Sequence, residues 1–301
     1  MECPDGAEAY LSTKATVVEM KSIALTGSTG VVGTRLQEYF GDAEFFVFNG
    51  DIRDEQAVKK FCREAAACDA IIHLAARVPK QVVDSDPLEA FDVNVRGTLN
   101  VLEGLRQLRS YAPWMFYASS SHVYASSPAP MREDGLLEPF TLYGLTKLQG
   151  EQWCSAYARE FGLKVCVGRL FSFSDSLQPN LYFIPAMIHK IQNAEKNSII
   201  ELSGVNGERD FLTVSQICHS IERLCAKKFE GVVNVGTGTG SHLLTIVQKI
   251  ADLVGRDDLV IKAKNDAPTF HVADNTLLKS VGVELSNVVD SLLIEMTSRC
   301  K

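Results

Sequence analysis

The stretch from Ser22 to Gly33, SIALTGSTGVVG, constrains this chain more than any other. Ile23, Ala24 and Leu25 read as a buried strand, and Val31, Val32 and Leu36 as the apolar face of a helix. Glycines stand at 27, 30 and 33. They let the backbone turn sharply and approach a ligand closely. The first amides of such a helix point at an anion, where the helix dipole favours negative charge. That arrangement suits the pyrophosphate of a dinucleotide, although an ordinary glycine-rich turn has the same composition. The rest of the chain decides between the two.

Apolar runs and helical patterns alternate through the first half. Strands are expected at 44–48, 69–76, 114–121 and 163–171, and helices at 54–66, 88–108 and 141–161. This alternation predicts an α/β fold, a Rossmann-type doubly wound parallel sheet with helices on both faces. Ligands on such sheets bind at the carboxyl ends of the strands. After Phe171 the run SFSDSLQPNLYF reads as a loop. A helix at 185–194, a strand at 199–202 and the segment GERDFLTV follow. Then come helices at 215–226 and 242–254 with GVVNVGTG, a strand and turn, between them, whereas 261–301 shows little periodicity. The expected organisation is a dinucleotide-binding domain of residues 22–171 plus 213–240. A smaller C-terminal α/β substrate-binding domain takes 172–212 plus 241–301, and residues 1–21 form an N-terminal extension.

Composition narrows the function classes. A net charge of −7 argues against a nucleic-acid surface, and no apolar run reaches the length of a membrane span. The first residues lack the basic-then-apolar layout of a signal peptide. Eight cysteines lie scattered without a CxxC pair, which reads as reduced thiols in an intracellular, cytoplasmic chain. Cys218, His219 and Cys225 lack a second ligand pair, so core packing outweighs a metal site and no metal is expected.

Three further features follow in the order such a sheet needs. In GDIRD, Asp51 can accept a hydrogen bond from an adenine amino group, or it can cap the next helix. The run SSSHVY (119–124) ends a strand, and Tyr143-Gly-Leu-Thr-Lys147 opens a helix. Residues four apart share a helix face. A lysine ammonium beside a tyrosine favours phenolate and lowers the phenol's pKa from near 10 toward neutrality. The phenolate can then take a proton from an alcohol while hydride leaves its carbon, with a nicotinamide as carrier and a serine hydroxyl holding the same oxygen. The pattern is not specific, since Tyr10 and Lys14 fit it too; only Tyr143 follows a serine-bearing strand end. His122, beyond Ser120, reads either as an extra acid/base near neutral pH or as a histidine packed against a helix.

From about Ser22 to about Gly282 the chain resembles the NAD-dependent epimerase/dehydratase family, extended short-chain dehydrogenase/reductases acting on nucleotide sugars. The residues that carry the resemblance are TGSTGVVG (26–33), HLAA (73–76), NVRGTLNVLE (94–103), YASSSHVY (117–124) and YGLTKLQGEQ (143–152). IPAMIHKI (184–191), GERDFLTV (207–214) and VNVGTG (233–238) complete the series. It implies Ser120, Tyr143 and Lys147 as the catalytic set, with Tyr143 the acid/base and Lys147 also on the nicotinamide ribose. The cofactor set it implies is Gly27, Thr29, Gly30, Val31, Val32, Asn49, Asp51, Ile52, Leu74, Ala75 and Ala76, joined by Tyr143 and Lys147. Toward substrate it implies Ser120, Ser121, His122, Tyr143, Ser172, Asn180 and Arg209. Arg209 would reach the substrate's diphosphate; the alternative is a surface ion pair with Glu208 or Asp210.

The departures bear on substrate and cofactor. Ser172 stands where the family commonly has Asn, Ala125 replaces a glycine, Val83 a serine, and only Lys262 and Lys264 lie near the usual C-terminal arginine. Ser121-His122 replaces the Asp-Glu of the dehydratases. The reading that results is an NAD(P)-dependent nucleotide-sugar epimerase working at C4. The alternatives are an NADPH-dependent 4-keto-sugar reductase, which the short span from Gly33 to Asp51 also resembles, and a cofactor-binding sensor without turnover. Phe48-Asn49 chooses clearly neither NAD nor NADP; the family's epimerases favour NAD. Helices 88–108 and 141–161 carry more apolar surface than one sheet face covers, and relatives pair them in a homodimer.

Overall fold

The computed structural model describes residues 20–108 and 112–298, so Tyr10, Lys14 and nearly all of the N-terminal extension lie outside the described residues. Strand β1 (Ser22–Thr26) leads through a glycine turn into α1 (Val31–Tyr39), β2 (Glu44–Val47), α2 (Glu55–Glu64) and β3 (Ala70–His73). Next come α3 (Lys80–Ser85), α4 (Pro87–Phe91), a π-helical segment (Asp92–Arg96) and α5 (Gly97–Arg106). Strand β4 (Trp114–Ser120), α6 (Leu142–Phe161) and β5 (Val165–Leu170) complete the first half. The second half runs β6 (Ser172–Ser174), α7 (Phe183–Gln192), β7 (Ile199–Leu202), β8 (Glu208–Arg209), β9 (Phe211–Thr213) and α8 (Val214–Ala226). It continues through β10 (Gly231–Val235), β11 (Ser241–His242), α9 (Leu243–Leu253) and β12 (Val260–Ala263). The last elements are β13 (Phe270–His271), α10 (Thr276–Ser280) and α11 (Val289–Ser298).

Six strands pair in the order β10-β5-β4-β3-β1-β2, every pair parallel, as the alternating pattern predicted. Strand side chains alternate between the two faces. Trp114 and Phe116 of β4 therefore join Leu36 of α1 and Ile217 and Ile221 of α8 on one side. Met115 and Tyr117 meet Val58 of α2, Leu102 of α5 and Cys154 of α6 on the other. Burying each such large side chain contributes about 1.5–3 kcal/mol. Strand order reverses between β1 and β3, which opens a crevice outside their carboxyl ends. Cys218 and Cys225 are buried thiols in the core of the first face. Among the described residues no helix is long and apolar enough to cross a membrane.

The smaller sheets are β11-β8-β13, β12-β7 and β6-β9. Ile188 of α7, Ile250 of α9 and Leu293 of α11 build a separate core beside them. Leu278 and Val283, near the C-terminus, return to the first core of the large sheet. Two expectations need correction. The helix expected over 88–108 is continuous from Pro87 to Arg106 but widens into a π turn at 92–96, where the Gly97 amide reaches back to the Asp92 carbonyl. The widened turn holds Asn94, whose amide bonds the Arg77 main chain on both sides (2.7 and 2.9 Å) and Thr146 Oγ1 (3.0 Å). The loop expected after Phe171 includes β6, because Ser172 finds a partner in Phe211 some forty residues on.

One buried ion pair ties α6 to the sheet. Arg169 of β5 donates Nε and Nη2 to the Glu151 carboxylate at 3.0 and 2.7 Å, the two side chains being 3% and 5% exposed. Ser119 also donates to Glu151, and Arg169 Nη1 donates to Tyr124 Oη at 2.7 Å. Breaking a buried pair from one side leaves an uncompensated charge and costs about 3–5 kcal/mol. Glu151→Ala is expected to lower unfolding free energy in urea by that amount. Glu64→Ala, which removes the exposed Lys60–Glu64 pair, should cost under about 1 kcal/mol. Equal losses from the two variants would contradict the assignment.

Candidate functional site

Gly27 has a positive φ of 75°, and a Cβ there would lie 2.6 Å from the Ala75 amide nitrogen. A Cβ on Gly33 would lie 2.3 Å from the Gly27 carbonyl. Only glycine lets β1 turn this tightly into α1 while the start of the segment after β3 presses against it. Gly30 caps α1 without a side-chain hydrogen bond, so the first amides of the helix are left to external acceptors. A cleft of about 520 Å³ opens here. Of the expected cofactor residues, Gly27, Thr29, Asn49, Asp51, Ile52, Ala75 and Ala76 line it. Gly30, Val31, Val32 and Leu74 do not; Val31, Val32 and Leu74 pack against the core of the first sheet face and support the turn from behind. A cleft lined by glycine with a helix N-terminus beside it fits a dinucleotide pyrophosphate.

The two readings of Asp51 part here. Asp54, not Asp51, caps α2, accepting from the amides of Gln56 and Ala57 at 2.9 and 3.1 Å. Asp51 is engaged by Arg53, whose Nη2 donates to it at 2.6 Å and holds the carboxyl down at about 2. Several lining residues escaped sequence reading. Arg53 and Arg77 had a signal, since each directly follows a quoted motif residue; Glu89, which bonds Arg77 at 2.6 Å, had none, because α4 carries it in from a distance.

Ser120 ends β4 and Tyr143 and Lys147 lie in the first turns of α6, which Thr141 opens by accepting from the Gly144 amide at 3.0 Å. Lys147 is 3% exposed; its Nζ donates to the Ala118 carbonyl at 2.7 Å and sits 5.0 Å from the Tyr117 ring centre. Burial draws its ammonium down to about 8. The structure brings Ser120 and Tyr143 together, and the serine's hydrogen bond pulls the phenol's pKa downward. Burial outweighs that pull and leaves Tyr143 above its ordinary value. The expectation that Lys147 lowers it toward neutrality is therefore not met. Desolvation dominates both groups, and the ammonium is committed to a main-chain oxygen.

The substrate set is more dispersed. Ser121 and His122 form the turn after β4. The His122 ring stacks on Phe140 with centres 5.8 Å apart, and it meets Tyr143 edge-on at 5.7 Å and His271 at 5.8 Å. Burial and the Arg209 charge lower His122 to about 4, which does not suit an acid/base poised near neutral pH. Arg209 makes no ion pair with Glu208 or Asp210 side chains; its Nη1 donates to the carbonyls of Glu208 and Thr269, and Nη2 to Thr269 Oγ1. Asp210 is instead spent on Thr237, Gly238 and Ala273. Ser172 is half-buried in β6, while Asn180 is exposed in the turn before α7. His271 was not expected; it lies in the stretch without periodicity.

The model of the NAD dependent epimerase/dehydratase family matches residues 23–236. GDP-6-deoxy-D-mannose reductase of Pseudomonas aeruginosa is 26% identical over 242 residues, covering 76% of this chain and 79% of that protein. UDP-glucuronate 4-epimerase of Thermodesulfobacterium geofontis is 28% identical over 245 residues, covering 80% and 72%. Two solved structures share the fold. RMD of Pseudomonas aeruginosa complexed with NADPH has a TM-score of 0.81 at 23% identity, covering 92% of this chain and 98% of that one. The UDP-glucose 4-epimerase of Thermus thermophilus in complex with NAD has a TM-score of 0.77 at 20% identity, covering 92% and 99%. With a family model spanning the Gly27 turn, the Ser120 strand end and the Tyr143 helix, this chain belongs to the NAD dependent epimerase/dehydratase family.

Proposed function

We propose that the chain is an NAD(P)-dependent nucleotide-sugar epimerase, oxidising and re-reducing C4 of a nucleoside-diphosphate sugar. The observation that carries the reading is the contact of Ser120 with Tyr143 and the seating of Lys147 one helical turn further on, at the sheet edge that also bears the Gly27 turn. When bound, a nicotinamide supplies the hydride acceptor and donor. Tyr143 takes the proton of the sugar hydroxyl as its carbon is oxidised, and returns it on the reverse step. The Ser120 hydroxyl holds the same oxygen. The Lys147 ammonium, seated on the Ala118 carbonyl, would give the cofactor ribose a donor. Gly27 and Thr29 would hold the pyrophosphate at the start of the helix that Gly30 caps, and Asp51 and Ile52 the adenine. Arg209, with no carboxylate partner among the described residues, would meet the substrate's diphosphate. On this reading residues 22–171 plus 213–240 serve the cofactor and residues 172–212 plus 241–301 serve the substrate. The activities named for the relatives, a sugar-nucleotide reductase and a sugar-nucleotide epimerase, support that substrate class.

A second reading, an NADPH-dependent reductase of a nucleotide 4-keto sugar, has one observation in its favour. Asn49, not a carboxylate, stands in the cleft beyond β2, and Arg53 shares that cleft. A carboxylate there would select NAD, whereas an arginine accommodates a 2′-phosphate. Homodimer formation belongs to the same proposal. Leu88 and Phe91 of α4 and Leu145 and Trp153 of α6 are 80%, 44%, 43% and 42% exposed, large apolar side chains on neighbouring helices that a partner would cover.

Two outcomes are expected. Light scattering at micromolar concentration should give twice the chain mass, and Leu145→Glu with Trp153→Glu should return it to the single-chain mass; a wild-type monomer would remove the dimer. Tyr143→Phe should lower turnover by about a hundredfold or more while cofactor affinity stays within about twofold. Retention of more than a few per cent of wild-type turnover would overturn the catalytic assignment.

A further inference from the structure

Among the described residues two imidazoles carry buried ring nitrogens without a hydrogen-bond partner. His271 is 2% exposed, and neither of its ring nitrogens has a hydrogen-bond partner; His122 Nδ1 has none either. The Ser121 main chain near His271 favours its charged form without making a well-aligned bond. Elsewhere the chain satisfies a buried histidine in full. His73, 1% exposed, bonds Thr26 Oγ1 at 2.6 Å and Thr98 Oγ1 at 3.0 Å. A buried polar atom left unpaired destabilises the fold and calls for a ligand or a functional reason.

Strand register brings the two histidines to one cation. Parallel pairing of β13 with β8 sets His271 directly opposite Arg209, on the same face of the small sheet. The His122 ring lies 5.8 Å from the His271 ring, and Phe140 covers both, at 5.8 and 5.5 Å. Around this cluster stand Arg209 from β8, His271 from β13, His122 from the turn after β4 and Tyr143 from α6; among the described residues no carboxylate acts on either imidazole. Burial and the Arg209 charge hold both rings neutral, His122 at about 4 and His271 at about 3, and burial lowers Arg209 to about 10. A bound anion would accept hydrogen bonds from both rings in their protonated form and from Arg209 together.

We propose that His271 and His122 complete the diphosphate site begun by Arg209, and that diphosphate binding draws protons onto this histidine pair. The proposal rests on the reading of Arg209 given above and adds two residues and a proton linkage to it. Its sign follows from the direction of the change. Imidazoles neutral in the free protein and protonated against the diphosphate make binding tighten as pH falls through their bound-state pKa. Catalysis would then be coupled to a substrate site that holds the diphosphate more firmly in mildly acid medium.

Calorimetric titration with UDP-glucose, GDP-mannose and dTDP-glucose tests this, because the diphosphate diester of a nucleotide sugar keeps its charge between pH 6 and 8. Titrations in buffers of different ionisation enthalpy read the protons taken up. For the sugar nucleotide that binds, wild-type protein should take up about half a proton or more at pH 6.5 and bind about three- to tenfold tighter at pH 6 than at pH 8. His271→Asn and His122→Asn should each reduce the uptake and flatten that dependence, with thermal midpoints checking that both variants fold. Arg209→Ala should weaken binding about thirtyfold at both pH values. If Arg209→Ala weakens binding while wild type takes up no protons, or while both histidine variants keep the full uptake, the histidine proposal fails and the diphosphate reading stands. If Arg209→Ala leaves affinity unchanged, or none of the three compounds binds wild type, the diphosphate reading itself fails, and the proposal with it.

Discussion

The buried Glu151–Arg169 pair is the interaction on which the site depends. Glu151 lies one helical turn beyond Lys147 and two beyond Tyr143, so whatever fixes its carboxylate fixes the roll and depth of that end of α6. Arg169 grips it from β5, Ser119 from β4, and Arg169 reaches on to Tyr124, which donates to Asn234 of β10 at 2.7 Å. One helix is thereby locked to three adjacent strands. The desolvation of two charges is offset only where the remaining donors and acceptors are also met, as they are here. The result is a rigid frame that holds Ser120 at the end of β4 against Tyr143 and presses Lys147 onto the Ala118 carbonyl.

Electrostatics around the cleft follow one rule. Most arginines elsewhere are matched by carboxylates, Arg35 by Asp175, Arg77 by Glu89, Arg106 by Glu103 and Arg256 by Asp258 among them. Where β8, β13 and the turn after β4 meet, Arg209, His122 and His271 cluster with no carboxylate partner among the described residues, and burial pushes all three toward neutrality. A protein stabilised by its own contacts alone gains nothing from such a cluster. A protein that binds a multiply charged anion gains an environment poised to strengthen as the anion desolvates it further.

How much of this was legible in the sequence depended on the range of the interactions. The glycine turn, the buried strands and the Tyr143 helix rest on local spacing, and the large sheet came out as expected. The π turn at 92–96 did not, because apolar periodicity runs through it; there Asn94 reaches across to Arg77 and Thr146, contacts between elements far apart in the chain. Strands β8 and β13 are two residues each, too short for a period-two signal, and only their pairing gives them form. His271 was invisible for that reason. Asp51 shows the reverse case. Local sequence offered it two roles, and three-dimensional structure gave the cap to Asp54 three residues later.

The central claim is that a hydride leaves and re-enters the sugar of a nucleotide-bound substrate under the control of Tyr143. Single-turnover reaction of the cofactor-loaded enzyme with a nucleotide sugar carrying deuterium at C4 tests it most directly, with the nicotinamide and the sugar analysed by mass spectrometry at successive times. The account predicts deuterium on the nicotinamide in wild-type protein and none in Tyr143→Phe. Turnover of the sugar nucleotide with the label never leaving C4, or label transfer undiminished in Tyr143→Phe, would contradict it.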